Sequence, residues 1–390
     1  MASLSHVAFV CPRFADGTAL GGAETLLKAL AGRMRTLGIE ATFLTTCATD
    51  HFTWANTLPP GRRDMDGLDT FFFPVDDRDE TAFLRAQNAL CRRPARRELE
   101  NVWLAEGVNS TALCQHLHDN ADRYDRIVAG PYLFGLIHAA SKIASDKTML
   151  VPCLHDEPFA KFAATRELFS RVRGAMFNTE PERALAERLF GFPAERGTVV
   201  GMGLDPFEAD PGAFARRRDI RQPYLAYCGR REPLKGTPLL LDYFTAFRQR
   251  TGRDIMLVLT GSGPVDIPAE CADSVLDAGF VSEQEKREIM AGALAFCHPS
   301  RNESLSIVLL ESWLAGTSAL VQSASAVLVD QCRKSGGGLW FGNYPEFEEE
   351  LTLLLDHPTL AQTLAANGRA YVRKTYDWTA VDQRLLAALG

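Results

Sequence analysis

Tyr224-Leu225-Ala226-Tyr227-Cys228-Gly229-Arg230-Arg231-Glu232-Pro233-Leu234-Lys235-Gly236 passes from a short aromatic and aliphatic run into a glycine, two arginines, a proline, a lysine and a second glycine. The run has the length and residue types of a strand buried on both faces, and the Gly and Pro residues end it. A helical-period segment follows. Strand, turn and helix in that order open a parallel α/β unit, whose loop leaves the carboxyl edge of the sheet. The alternation continues outward in both directions, so the fold class is α/β. Upstream, strands are expected near His6–Val10, Glu40–Thr46, Thr70–Phe73, Asp125–Ala129, Lys147–Pro152, Ala175–Asn178 and Thr198–Gly201. Downstream of Tyr224–Tyr227 they are expected near Met256–Thr260, Ser274–Leu276, Ala293–Phe296, Ala319–Gln322 and Leu339–Phe341.

A chain of 390 residues exceeds what one hydrophobic core usually serves, so two doubly wound units are expected. Gly201-Met202-Gly203-Leu204-Asp205-Pro206 places a boundary near residue 205. Ligands of such sheets bind beyond the carboxyl ends of the strands, and two facing sheets leave a cleft between domains. The net charge of −7 argues against non-specific nucleic-acid binding. Nine cysteines, spread singly and odd in number, read as reduced buried thiols. No signal-like leader and no apolar run long enough for a membrane span are visible, which points to the cytoplasm.

Arg230 and Lys235 flank the turn after Tyr227, where a guanidinium fork and an ammonium point charge suit a diphosphate. By itself the segment is equally a surface turn with solvated cations. Some seventy residues on, a strand opens into His298-Pro299-Ser300-Arg301-Asn302-Glu303-Ser304-Leu305-Ser306 and a helix beginning at Ile307. Ser306 is expected to cap that helix and Gly316 to stop it, and the first amides would accept a phosphate. Glu303 and Glu311 would be about 12 Å apart if the segment between were fully helical, a span that fits a sugar, a diphosphate and a ribose. Asp64-Met65-Asp66 and Asp77-Arg78-Asp79 have the D-x-D form of a metal-diphosphate motif, but neither follows an apolar strand, so both read as turn acids. His116-Leu117-His118-Asp119 lacks companion ligands and reads as a solvated helix end. Arg92, Arg93, Arg96 and Arg97, interleaved with Glu98 and Glu100, read as a solvated helix face that would also suit a lipid-phosphate acceptor or membrane surface.

Gly229-Arg230 through Lys235-Gly236, Gly261-Ser262-Gly263, Gly279-Phe280-Val281-Ser282 and the E-x7-E pair Glu303 and Glu311 stand in one register. Together with Gly21-Gly22-Ala23-Glu24 near the start and Asn367-Gly368-Arg369 through Tyr376-Asp377-Trp378 near the end, they resemble the retaining family-4 glycosyltransferases of GT-B fold. Only residues 50–120 go unmatched. The resemblance implies that Arg230 and Lys235, with Ser306 and Ile307 at the helix start, hold the donor diphosphate. It implies that Glu311 binds the ribose hydroxyls and that Glu303 grips the donor sugar. Gly21 and Gly22 would let backbone approach the donor; alone, that pair is a plain turn. His155, in Leu154-His155-Asp156-Glu157-Pro158, falls where the family often has a histidine near the donor sugar, against the alternative of a helix-capping His-Asp pair. His155 and Glu303 are thus the catalytic candidates. Ser304-Leu305-Ser306 departs from the Gly-Phe-Gly of many relatives, which puts side chains in the donor-sugar pocket.

The expected architecture is GT-B, two Rossmann-like domains. Residues 1–204 would take the acceptor, residues 205–372 a UDP- or GDP-linked sugar, and residues 373–390 would cross back to the first domain. The expected reaction is hexosyl transfer with retention, to a glycan, lipid-linked or small-molecule acceptor, with no metal or other cofactor. Two rivals share the site: a phosphate-dependent phosphorylase, and a catalytically silent binding subunit. A nicotinamide dehydrogenase is disfavoured because no G-x-G-x-x-G opens the first helix.

Overall fold

The computed structural model describes residues 4–16, 21–92 and 96–390. The chain divides into two compact units, Met1–Gly203 with Val381–Gly390, and Leu204–Ala380.

In the first unit, β1 (His6–Val10), β2 (Glu40–Thr46), β3 (Gly61–Met65), β4 (Leu68–Phe73), β5 (Arg126–Ala129), β6 (Thr148–Leu150), β7 (Gly174–Phe177) and β8 (Gly197–Val199) form one sheet in the order β3-β4-β2-β1-β5-β6-β7-β8. Every pair is parallel except β3 with β4. β1 is buried along its whole length because helices cover both faces. β3 has no counterpart among the strands expected from the sequence. It is a largely exposed edge strand, so Arg62, Arg63 and Asp64 carry no apolar alternation to read. Its signal is Asp66-Gly67, both at positive φ, a two-residue hairpin turn. The first D-x-D belongs to this hairpin: Asp64 accepts from the Gly67 amide at 2.7 Å, and Asp66 pairs with Lys28 at 2.7 Å. In the second, Asp79 accepts from the Ala82 amide at 2.9 Å.

In the second unit, β9 (Tyr224–Cys228), β10 (Met256–Thr260), β11 (Val275–Gly279), β12 (Ala295–His298), β13 (Ser318–Gln322) and β14 (Gly338–Phe341) are all parallel, in the order β11-β10-β9-β12-β13-β14. The strand order reverses between β9 and β12, which makes that pair the switch point. Their ladder has two pairs, Ala295 with Leu225 and Phe296 with Ala226, while β9 continues beside β10 to Cys228. The carboxyl ends of β9 and β12 therefore part, and the loops leaving them line a crevice. Phe244 and Phe247 of the helix Thr237–Thr251 bury against this sheet with Phe347. Trp313, on the helix Ile307–Ala315, is fully buried and donates Nε1–H to the Gly337 carbonyl at 2.9 Å. Gly368 of the helix Pro358–Thr375 packs on that ring, where a Cβ would come within 2.3 Å of it.

The helix Pro358–Thr375 runs unbroken through residue 373, and the return to the first unit comes at Val381. Val381, Leu385 and Leu389 are buried, and Arg33 grips Asp382 through two bonds of 2.7 and 2.5 Å. No helix among the described residues is long and apolar enough to cross a membrane.

Candidate functional site

The loop after β9 is tied down by backbone. The Gly229 amide donates to Thr260 at 3.0 Å and the Arg231 amide to Ser262 at 2.8 Å, which extends the ladder past the strand. Gly261, at φ 133°, lies so close that its Cβ would be 1.9 Å from the Gly229 carbonyl. The buried Tyr227 hydroxyl donates to the Arg230 carbonyl at 2.6 Å. The Arg230 backbone is thereby fixed while its guanidinium, 43% exposed, stands 3.2 Å from Glu232. A short turn, Pro233–Lys235, ends at Gly236 in the left-handed region, pressed on the Pro299 carbonyl of the loop after β12.

That contact brings the two loops together chemically. Lys235 Nζ donates to Glu303 Oε1 at 2.7 Å, and the Glu303 side chain is only 10% exposed. His298 ends β12 almost fully buried, its Nε2 3.4 Å from the same oxygen, and among the described residues neither ring nitrogen has a hydrogen-bond partner. Burial alone would raise the Glu303 pKa, but the Lys235 charge, then His298 and the Lys235 and Ser300 hydrogen bonds, outweigh it and bring it down to about 2. Burial lowers the His298 pKa to about 4, so its ring is neutral at neutral pH. Lys235, expected as a diphosphate cation, is thus already bound to the catalytic candidate. A ligand phosphate would share it rather than meet a solvated ammonium.

Glu311 lies inside the helix Ile307–Ala315, and Lys286, from the helix Glu283–Gly292, donates to its Oε1 at 3.1 Å. Its Oε2 is buried without a partner among the described residues. Burial raises its pKa and Lys286 opposes the rise. One carboxylate oxygen is committed and the other is left to accept. Ser306 corrects the expectation of a hydroxyl cap. It occupies the N-cap position, but at φ 66° and ψ 75° rather than extended, and its side chain makes no cap bond. Leu305 is 4% exposed, and Ser304 and Ile307 are half-buried.

In the first unit, Gly21 is the N-cap and Gly22 the first residue of the helix Gly22–Thr36. A Cβ on Gly21 would strike the Glu24 carboxylate, whereas one on Gly22 would meet nothing within 4 Å among the described residues. Glu24 itself is held by Arg13 at 2.7 Å, and the two side chains are 14% and 6% exposed. Glu24→Gln is expected to destabilise this unit by about 3 kcal/mol, because it leaves the Arg13 charge buried and unpaired. Urea unfolding measures it, and a loss under 1 kcal/mol would show that Arg13 finds water.

His155 Nδ1 is 3.6 Å from Glu157 Oε1, which accepts from the buried Tyr132 hydroxyl at 2.8 Å. The partner of His155 is therefore Glu157 and not Asp156, which pairs with Lys161 at 3.1 Å and Arg188 at 2.7 Å. The buried Glu182 accepts from the Leu154 amide at 2.6 Å and the Asn178 amide at 2.5 Å, which anchors the histidine loop to the turn after β7. Of the arginine cluster, Arg97 is taken up by Glu167 at 2.7 Å and Glu100 at 3.7 Å; Arg92 and Arg96 are exposed, and Arg93 lies outside the described residues. His118 sits 3.2 Å from Asp119 on an exposed helix end.

Sequence reasoning gave no role to Arg13, Glu182, Lys286 or His298. His298 opens the loop that carries its neighbour Glu303, while the other three draw their meaning from a partner brought in by the fold.

The glycosyl transferases group 1 family model matches residues 213–371, a span that contains Arg230, Lys235, Glu303, Ser306 and Glu311. D-inositol 3-phosphate glycosyltransferase of Jonesia denitrificans is 25% identical over 272 residues, 63% of this chain and 64% of that protein. Alpha-D-kanosaminyltransferase of Streptomyces kanamyceticus is 25% identical over 283 residues, 66% of this chain and 70% of that protein. The match therefore covers less than two thirds of the first relative's length. Among solved structures, sucrose-phosphate synthase from Thermosynechococcus elongatus superposes with a TM-score of 0.71 at 14% identity, covering 98% of both chains. Anabaena HepE, solved with UDP and glucose, superposes with a TM-score of 0.71 at 17% identity, covering 99% of both chains. With its two Rossmann-like sheets the chain has the GT-B fold, and over residues 213–371 it is similar to the group 1 glycosyltransferases.

Proposed function

We propose that this protein transfers a hexosyl group from a UDP- or GDP-linked sugar to a glycan, lipid-linked or small-molecule acceptor, with retention of anomeric configuration. The observation that carries the reading is the pair of buried carboxylates beside one switch point, Glu303 held by Lys235 and Glu311 held by Lys286 with one oxygen left to accept. Glu311 Oε2 suits a ribose hydroxyl, and Glu303 the hydroxyls of the donor sugar. Arg230 and the first amides of the helix Ile307–Ala315 suit the diphosphate. HepE, of the same fold, is described with UDP-glucose, and the two curated relatives are named as sugar transferases. The acceptor belongs to residues 1–204, where the exposed Arg92 and Arg96 would meet an anionic lipid-linked one.

The resemblance implies retention, and the carboxylates bear on the route to it. Double displacement needs a carboxylate able to bond the anomeric carbon. Asp156 is taken up by Lys161 and Arg188, and Glu157 by Tyr132 and His155. Retention without such a nucleophile requires the reaction to run on one face of the sugar. The bond from the anomeric carbon to the diphosphate oxygen breaks, the acceptor oxygen bonds the same face, and its proton passes to the departing phosphate. Arg230 and the helix start offset the charge that develops, so turnover persists in EDTA.

Proton NMR of the first-formed product tests the stereochemistry, and an inverted anomeric centre would refute it. Glu311→Ala is expected to weaken nucleoside diphosphate binding about tenfold, the loss of one charge-assisted hydrogen bond. Unchanged affinity by calorimetry would remove the ribose assignment.

A further inference from the structure

We propose that the outer edge of β3 is a self-association surface, through which two copies of this chain join their first sheets edge to edge, antiparallel, about a two-fold axis at Arg63. β3 ends its sheet, and among the described residues no strand pairs with its outer side. The two-residue turn Asp66-Gly67 closes on Met65 and Leu68, so residues 61, 63 and 65 turn their amides and carbonyls toward β4. Arg62 and Asp64 turn theirs outward. An antiparallel partner has to meet those groups with outward groups of its own, and β3 of a second copy offers the same two residues.

That requirement restricts the register. Centring the pair on Arg62 sets this cation opposite its own copy, and centring it on Asp64 does the same to the carboxylate; like charges directly opposite are destabilising. Centring it on Arg63 sets Arg62 opposite Asp64 on both sides of the axis. Every outward amide and carbonyl of Arg62 and Asp64 is then bonded, and each bonded pair carries opposite charges. Both side chains are available for this. That of Arg62 is 68% exposed although its Nε bonds Asp69 at 2.6 Å, and the exposed Asp64 accepts from the Gly67 amide through Oδ1 at 2.7 Å. Arg63 would face its own copy on the other side of the sheet, but its guanidinium is turned back over the Phe72 ring at 4.7 Å and donates to the Pro59 carbonyl. Charge on an edge strand commonly guards it against other chains. In the order Arg-Arg-Asp it guards against the neighbouring registers and admits this one.

Sedimentation velocity over a range of micromolar concentrations tests it on the parent, on Asp64→Arg and on the double variant Arg62→Asp/Asp64→Arg. The parent is expected to pass from monomer to dimer as concentration rises. Asp64→Arg sets cations opposite each other on both sides of the axis and is expected to weaken the dimer about tenfold. The double variant restores opposite charges in the same register, and the dimer with it. Hydrogen exchange reads the edge on the unaltered chain: the Arg62 and Asp64 amides are expected to exchange more slowly in the dimer than in the monomer. A parent that stays monomeric, a dimer equally tight in Asp64→Arg, or outward amides that exchange no more slowly in the dimer would each overturn the proposal. A double variant that melts with the parent and yet does not recover the dimer would overturn the register.

Discussion

Lys235→Met is expected to destabilise the second unit by about 3 kcal/mol at pH 7 and to lower kcat/KM by roughly a thousandfold, the largest loss of any single side chain in the site. Glu303 is nearly buried and the Lys235 ammonium is 2.7 Å away. Removing the lysine leaves a carboxylate that burial alone would drive toward the neutral form. The direction agrees with the Glu303 pKa, which the Lys235 charge, ahead of His298, brings down to about 2 against the effect of burial. The sign in pH is fixed as well. A depressed carboxyl pKa stabilises the fold fully above pH 4.5, and that contribution is lost as pH falls toward about 2. The deficit of Lys235→Met should therefore be widest at neutral pH and shrink below pH 4.5, as the parent gives up its advantage. Urea unfolding at pH 7 and pH 3.5 reads the difference, and parallel curves for the two proteins would show that the ion pair is not what depresses Glu303.

The catalytic arm of this prediction has a companion in Glu303→Gln, which keeps shape and removes charge. Turnover should fall while nucleoside diphosphate affinity stays near that of the parent, because Glu303 is assigned to the sugar and not to the nucleotide. Lys235→Met, by contrast, should lower both, since Lys235 bonds Glu303 from the same loop that carries Arg230. A matching loss of nucleotide affinity in Glu303→Gln would mean that the Lys235–Glu303 pair acts as one unit that shapes the whole crevice.

The strands that make the two sheets were legible because buried parallel strands concentrate β-branched and aromatic residues. Their expected ends differ from the structure by at most three residues, as at Leu276, where β11 runs on to Gly279. The loops that carry Arg230, Lys235 and Glu303 were legible for a related reason, since such loops leave the carboxyl edge of the sheet and their polar residues stand out against the strands. What stayed hidden is whatever depends on a partner far along the chain. Lys286 meets Glu311 twenty-five residues away, and Glu182 meets the Leu154 amide twenty-eight residues away. No local pattern announces either. Ser306 was legible as a departure but not as a strained one, because dihedral angles are not written in residue type. β3 was hidden for the opposite reason, since an exposed edge strand buries too little for alternation to show.

Gly236→Ala is expected to destabilise the second unit by about 3 kcal/mol and to lower kcat/KM by about a hundredfold, whereas Gly252→Ala should cost about 1 kcal/mol and leave kcat/KM unchanged. The two glycines have nearly the same backbone, φ 78° and φ 65°, and each ends a helical turn in the left-handed region. An alanine therefore meets the same conformational penalty at both. Their surroundings differ. A Cβ at Gly252 finds nothing within 4 Å, while one at Gly236 would sit 2.5 Å from the Pro299 carbonyl and 3.0 Å from its Cβ. Backbone cannot rotate away as a flexible side chain can, so the loop after β9 has to move off the loop after β12. That movement pulls Lys235 from Glu303 and shifts Arg230, and a displacement near 1 Å is enough to lose about two orders of magnitude in rate. Because the conformational term cancels between the variants, the difference in their stabilities measures the contact between the two loops alone. Equal losses at both positions would mean that the loops are not seated on each other, and the crevice would then have to be assembled by the ligand.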